Sequence, residues 1–139
     1  MAQRILLVDD EPKLLELVTW RLEAQGYEVL TASDGDEALQ RARAQHPDLI
    51  ILDVMLPQLN GYEVCTLLKQ DRRYRAIPII LLTARIQQVD ERLGLECGAD
   101  AYLHKPFQSA QLLGTIRSLL TVDGAIEAER SHGRHDPHR

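Results

Sequence analysis

Residues 48–57 read Asp48-Leu49-Ile50-Ile51-Leu52-Asp53-Val54-Met55-Leu56-Pro57. A short, unbroken aliphatic run of this kind fits a central parallel strand covered on both faces, where alternation of apolar and polar residues disappears. Ile79-Ile80-Leu81-Leu82 repeats the shape and ends at Thr83, and Ile5-Leu6-Leu7-Val8 ends at Asp9-Asp10. A shorter run, Tyr102-Leu103, lies just ahead of Lys105. Strands are predicted near 4–8, 28–32, 48–52, 77–82 and 100–103.

Helical patterns fill the gaps, at 12–25, 35–45, 61–70, 87–97 and 109–120. Glu11-Pro12 opens the first, with proline in the first turn and Asp10 or Glu11 near the cap. Gly26 closes it, and Asn60-Gly61 marks the turn into the third. Leu14, Val18 and Leu22 share one apolar face, as do Leu112, Ile116 and Leu119. Strand alternating with helix gives an α/β fold, a doubly wound five-stranded parallel sheet.

With 139 residues the chain has room for one ordinary domain. A hydrophobic content of 45% and a net charge of −5 describe a globular protein without a basic stripe, so direct nucleic-acid binding is not expected. The apolar runs are strand-length, and no membrane partner or secretory signal is expected, so the predicted location is cytoplasmic. Cys65 and Cys97 lie outside any C-x-x-C spacing and read as reduced, partly buried thiols. His46 and His104 have no partners at ligand spacing. The domain is predicted at 1–122, followed by a flexible polar tail at 123–139 that carries His132, His135 and His138.

In an open parallel sheet the carboxyl ends of the strands meet on one rim, where ligands bind. Asp9, Asp10, Asp53, Thr83 and Lys105 would all gather there. Three carboxylates side by side repel and resist desolvation unless cations join them. Lys105 supplies one positive charge, and a divalent metal would supply the rest. Such a set suits a carboxylate that receives a phosphoryl group.

Val8-Asp9-Asp10, Leu52-Asp53-Val54-Met55-Leu56-Pro57, Leu82-Thr83-Ala84, Gly98-Ala99-Asp100 and Lys105-Pro106-Phe107, in this order at strand ends, resemble the receiver domain of two-component response regulators. The likeness covers residues 3 to about 121. It implies a flavodoxin-like sheet of order 2-1-3-4-5 with five helices. Asp53 is then the phosphoacceptor, taking the group from a sensor histidine kinase or a histidine phosphotransfer protein. Mg²⁺ (or Mn²⁺) would be held by Asp10, Asp53 and the backbone carbonyl of Met55, with Asp9 acting through water. Thr83 and Lys105 would bind the phosphoryl group, and a cis bond before Pro106 would aim the lysine. Tyr102 would turn inward as Thr83 moves, switching the face made by the fourth helix, fifth strand and fifth helix. Met55 and Arg85 flank the water path and would set the lifetime of the phosphoryl group.

Taken singly these residues have plainer readings: Asp9-Asp10 as a helix cap, Thr83 as a strand residue, Tyr102 as a strand aromatic. An aspartate-nucleophile phosphohydrolase would need a second carboxylate at position 55, which is Met. A dedicated enzyme is therefore not expected. Ala101, Gln111 and Thr115 stand where charged residues pair the symmetric dimer of the winged-helix regulators. A monomer or a weak, phosphorylation-dependent dimer is expected, acting as a stand-alone receiver on a downstream protein target. The alternative is the receiver part of a larger regulator with a DNA-binding or enzymatic output domain.

Overall fold

The computed structural model describes residues 2–84 and 97–129. Among these residues five strands form one parallel sheet: β1 (Arg4–Val8), β2 (Glu28–Ala32), β3 (Leu49–Asp53), β4 (Ile79–Thr83) and β5 (Ala101–His104). Their order is β2-β1-β3-β4-β5, the doubly wound flavodoxin-like arrangement expected. The helices are α1 (Pro12–Ala24), α2 (Gly35–Gln45), α3 (Gly61–Gln70) and α4 (Ser109–Glu129). The predicted helix at 87–97 lies, but for Cys97, outside the described residues.

Strand side chains alternate between two cores, as a pleated strand requires. Leu6, Val8, Ile50, Leu52, Ile79 and Leu81 join Ala38, Val64 and Leu68 on the face of α2 and α3. Ile5, Leu7, Leu49, Ile51, Ile80 and Leu82 join Val18, Leu22, Leu112 and Ile116 on the face of α1 and α4. All residues of β3 and β4 are buried, which explains their unbroken apolar runs. Truncating any one of these buried leucines or isoleucines to alanine costs about 2–5 kcal/mol.

Strand ends differ from prediction by a residue or two, and backbone hydrogen bonding accounts for it. β3 reaches Asp53 because Asp53 is still in register with Leu82, and the next amide, Val54 N–H, donates to the Leu82 carbonyl at 2.9 Å. β4 begins at Ile79, since Pro78 has no N–H and the Ile77 N–H is turned to the Tyr74 carbonyl at 3.0 Å. Asp100 caps that start: its carboxylate accepts from Ile79 N–H and from Lys69 Nζ, both at 2.8 Å. Lys69 also donates to the Ile77 carbonyl at 2.8 Å, tying α3 to the β4 entrance.

The last helix runs past the predicted end at 120, because α4 continues to Glu129. Gly124 lies inside this helix, and one glycine costs a helix only about 1 kcal/mol relative to alanine. Ala125, Glu127, Ala128 and Glu129 are strong helix formers that carry the helix past it. Residues 130–139, with the three histidines, lie outside the described residues.

Candidate functional site

The sheet grows in opposite directions from β1, to β2 on one side and to β3 on the other, so a crevice opens at the carboxyl ends of β1 and β3. Val8 and Leu52 are register partners, which sets Asp9 and Asp53 beside each other at that crevice. Pro12 at the first position of α1 and the Asp9 side chain together shape the turn out of β1. Asp9 Oδ1 accepts the Glu11 N–H at 2.9 Å, so Asp9 rather than Asp10 or Glu11 anchors the helix start. Asp10 is left exposed on the rim.

Lys105 arrives from β5. Thr83 pairs with His104, and the Lys105 N–H donates to the Thr83 carbonyl at 2.7 Å. The Lys105–Pro106 peptide bond is cis. Lys105 Nζ lies 2.9 Å from Asp9 Oδ2 and 3.2 Å from Asp53 Oδ1, bridging two carboxylates that are almost wholly buried. Thr83 is buried beside them at the end of β4. Asp53 also accepts a hydrogen bond from the Met55 N–H, while the Met55 side chain is exposed. Arg85 lies outside the described residues.

The charges do not balance. Asp9, Asp10 and Asp53 place one carboxylate oxygen each within 4.8 Å of the others, against the single ammonium of Lys105. Burial first, and then the charge of Asp9, push the Asp53 carboxyl up from 3.8 to about 6, although Lys105 pulls the other way. Burial opposes the charge on Lys105 too, but its contacts with Asp9 and Asp53 win and hold the ammonium above its usual range. A hard divalent cation fits this set. Magnesium takes oxygen ligands at about 2.1 Å, so two of them stand up to about 4.2 Å apart. The trio is close to that span, and Asp9 already holds Lys105 and the Glu11 N–H.

The supporting roles of four residues escaped the sequence reading. Gly61, read as a turn marker, opens α3 hard against the acceptor: a Cβ there would sit 2.3 Å from the Asp53 carbonyl oxygen. Its N–H donates to Val54 at 3.0 Å, and Asn60 and Glu63 form a reciprocal capping box that fixes the turn. Tyr62 meets the switch candidate Tyr102, hydroxyl to hydroxyl, at 3.2 Å. Lys69 and Asp100 hold the base of β4 as described. The glycine after Asn60 was the one sequence signal for the first; tyrosines 40 residues apart carry no such signal.

Residues 5–117 match the response regulator receiver domain. The alkaline phosphatase synthesis transcriptional regulatory protein PhoP of Bacillus subtilis (strain 168) is 48% identical over 120 residues, covering 86% of this chain and 49% of that protein. The chain spans about half the length of the curated relatives it matches. A CheY-like response regulator receiver domain protein from Methanospirillum hungatei JF-1 superposes with a TM-score of 0.85 at 30% identity, covering 90% of this chain and 98% of that one. The receiver domain of a sensor histidine kinase from Pseudomonas aeruginosa PAO1, solved with magnesium coordinated in its active site cleft, gives a TM-score of 0.81 at 35% identity, covering 87% and 99%. With its motifs, sheet order and acidic crevice all on one rim, the chain belongs to the response regulator receiver domain family.

Proposed function

We propose that Asp53 is the phosphoacceptor of a two-component pathway and that Asp10, Asp53 and the Met55 carbonyl hold Mg²⁺ or Mn²⁺, with Asp9 contributing through water. The observation that carries this reading is the buried Asp53 carboxylate with Lys105 Nζ at 3.2 Å and two further carboxylates within 4.8 Å. An Asp53 oxygen attacks the phosphorus of a phosphohistidine; the O–P bond forms as the P–N bond breaks, and the imidazole leaves. The donor is a sensor histidine kinase or a histidine phosphotransfer protein. Lys105 neutralises the incoming negative charge, and the Thr83 hydroxyl donates to a phosphoryl oxygen. The bound cation supplies charge neutralisation for a phosphoryl group whose transfer spreads charge over its oxygens.

Transfer favours a second arrangement of the same fold rather than building a new one. Thr83 moves inward, Tyr102 releases Tyr62 and turns toward the space left, and the face around β5 and α4 changes. A downstream protein target reads that face. The chain turns over no substrate as a dedicated enzyme, works in the cytoplasm, and is a monomer or a weak, phosphorylation-dependent dimer. Among the described residues no helix is long and apolar enough to cross a membrane.

A second reading is favoured by one finding: the Bacillus relative, at 48% identity, is about twice as long and is named a transcriptional regulatory protein. On that reading this receiver controls a following output domain through α4, which continues to Glu129. In both cases incubation with acetyl phosphate and Mg²⁺ should add one hydroxylamine-labile phosphoryl group to the parent and none to Asp53→Asn. Equal labelling of the two would end the assignment.

A further inference from the structure

Cys65 and Cys97 are distant in sequence yet meet in the fold. Cys65 sits on the buried face of α3, and Cys97 sits in the turn that precedes Gly98 and β5; both belong to the same core cluster. The Cys65 thiol donates to the Cys97 carbonyl oxygen at 3.5 Å. Neither is in a disulfide. Their surroundings are unequal. Cys97 lines a cavity of about 490 Å³ walled by Leu59, Tyr62, Thr66 and Leu67, whereas Cys65 does not reach it.

The chemistry of the two sulfurs is unequal too. The neighbouring Cys65 side chain holds the Cys97 thiol below its usual range, against the opposing effect of burial, with the Ala99 N–H and the Lys69 ammonium adding to it. The same contact and burial push Cys65 up, so it stays protonated as the donor. A thiol at a cavity wall with a second, enclosed thiol beside it is the arrangement of an attacking and a resolving cysteine.

We propose that Cys65 and Cys97 form a hydroperoxide-responsive thiol pair that closes a reversible disulfide between α3 and the turn ahead of β5. The Cys97 sulfur attacks a peroxide oxygen: an S–O bond forms, the O–O bond breaks, and the leaving alkoxide or hydroxide takes a proton from solvent. The Cys65 sulfur then attacks the Cys97 sulfenic sulfur. The S–S bond forms, the S–O bond breaks, and hydroxide departs as water with the Cys65 proton. The two thiols supply two electrons, and the hydroperoxide is reduced to alcohol or water. Cytosolic disulfides of this transient kind are usually redox-sensing.

The disulfide would close a loop across 32 positions that contains β4 and Thr83, restraining the segment leading to the switch residues. This proposal stands apart from phosphoryl transfer and holds whether or not Asp53 is an acceptor.

The test exposes reduced protein to hydrogen peroxide, with glutathione in a parallel tube as reference. The parent should lose both thiols and two hydrogens from its intact mass, stay monomeric, and show a cross-linked peptide joining Cys65 to Cys97. Its Tm should rise by about 5–10 °C, reversed by dithiothreitol. Cys65→Ala should stop at a sulfenic acid on Cys97 trapped by dimedone, and Cys97→Ala should leave Cys65 unreacted. Intact thiols while glutathione is consumed, a disulfide only between chains, or equal reactivity of Cys65 in Cys97→Ala would each overturn the proposal.

Discussion

Replacing Asp53 with Asn removes a carboxylate that the fold holds at a disadvantage, and the consequence depends on pH in a definite direction. Burial and Asp9 raise the Asp53 carboxyl to about 6 from 3.8, so the folded chain binds the proton more tightly than the unfolded chain does. Below about pH 4 the group is protonated in both states and costs nothing. Between about pH 4 and 6 the folded state gives up stability as pH rises, and above about 6 the full cost is present. At about 1.4 kcal/mol for each tenfold change in proton affinity the upper bound is about 3 kcal/mol. Screening at the water-facing rim reduces it to about 1–2 kcal/mol. Asn keeps the Met55 hydrogen bond, and Lys105 keeps Asp9 at 2.9 Å. Asp53→Asn should therefore melt about 4–8 °C above the parent at pH 8 without metal and at the same temperature near pH 4. Scanning calorimetry in EDTA across that range is the assay. Mg²⁺ at ten times its dissociation constant should then restore about 1.4 kcal/mol to the parent and little to the variant. A variant at pH 8 no more stable than the parent would refute the reasoning, because it would mean that Asp53 is already fully compensated by Lys105.

Lys105→Met leaves Asp9 and Asp53 facing each other without their cation, so it should destabilise by about 2–4 kcal/mol at pH 8 and by less at pH 5, where Asp53 takes up a proton; urea titrations at the two pH values check the difference. Gly61→Ala forces a Cβ against the Asp53 carbonyl and should cost about 2 kcal/mol or more and slow labelling by acetyl phosphate, whereas Gly114→Ala, inside α4 with open space around its Cβ, should raise stability by about 1 kcal/mol in denaturation and leave labelling unchanged. If Met55 flanks the water path as the family resemblance implies, Met55→Asn should shorten the lifetime of the phosphoryl group, measured as loss of label in excess EDTA.

The sheet was legible because β3 and β4 bury every residue, and a run such as Leu49–Leu52 has one structural meaning. The site was legible because its residues sit at strand ends, where parallel topology gathers them whatever the intervening sequence. Strand boundaries were less so: whether β3 stops at Leu52 or Asp53 depends on a cross-strand amide at Val54. The length of α4 was missed because the chain turns polar after Val122, while the cumulative helix preference of the following residues was greater. Gly61 against Asp53, Tyr62 against Tyr102 and Cys65 against Cys97 are contacts between distant segments, with no periodicity to announce them.

The central claim is that one carboxylate, Asp53, receives the phosphoryl group. Reduction of the acetyl phosphate-treated protein with borohydride converts an acyl phosphate to an alcohol, which mass spectrometry of the digested chain locates as homoserine. The account predicts homoserine at position 53 alone, dependent on Mg²⁺ and lost in EDTA. Homoserine at position 9 or 10, or an unmodified Asp53 in a labelled chain, would contradict it.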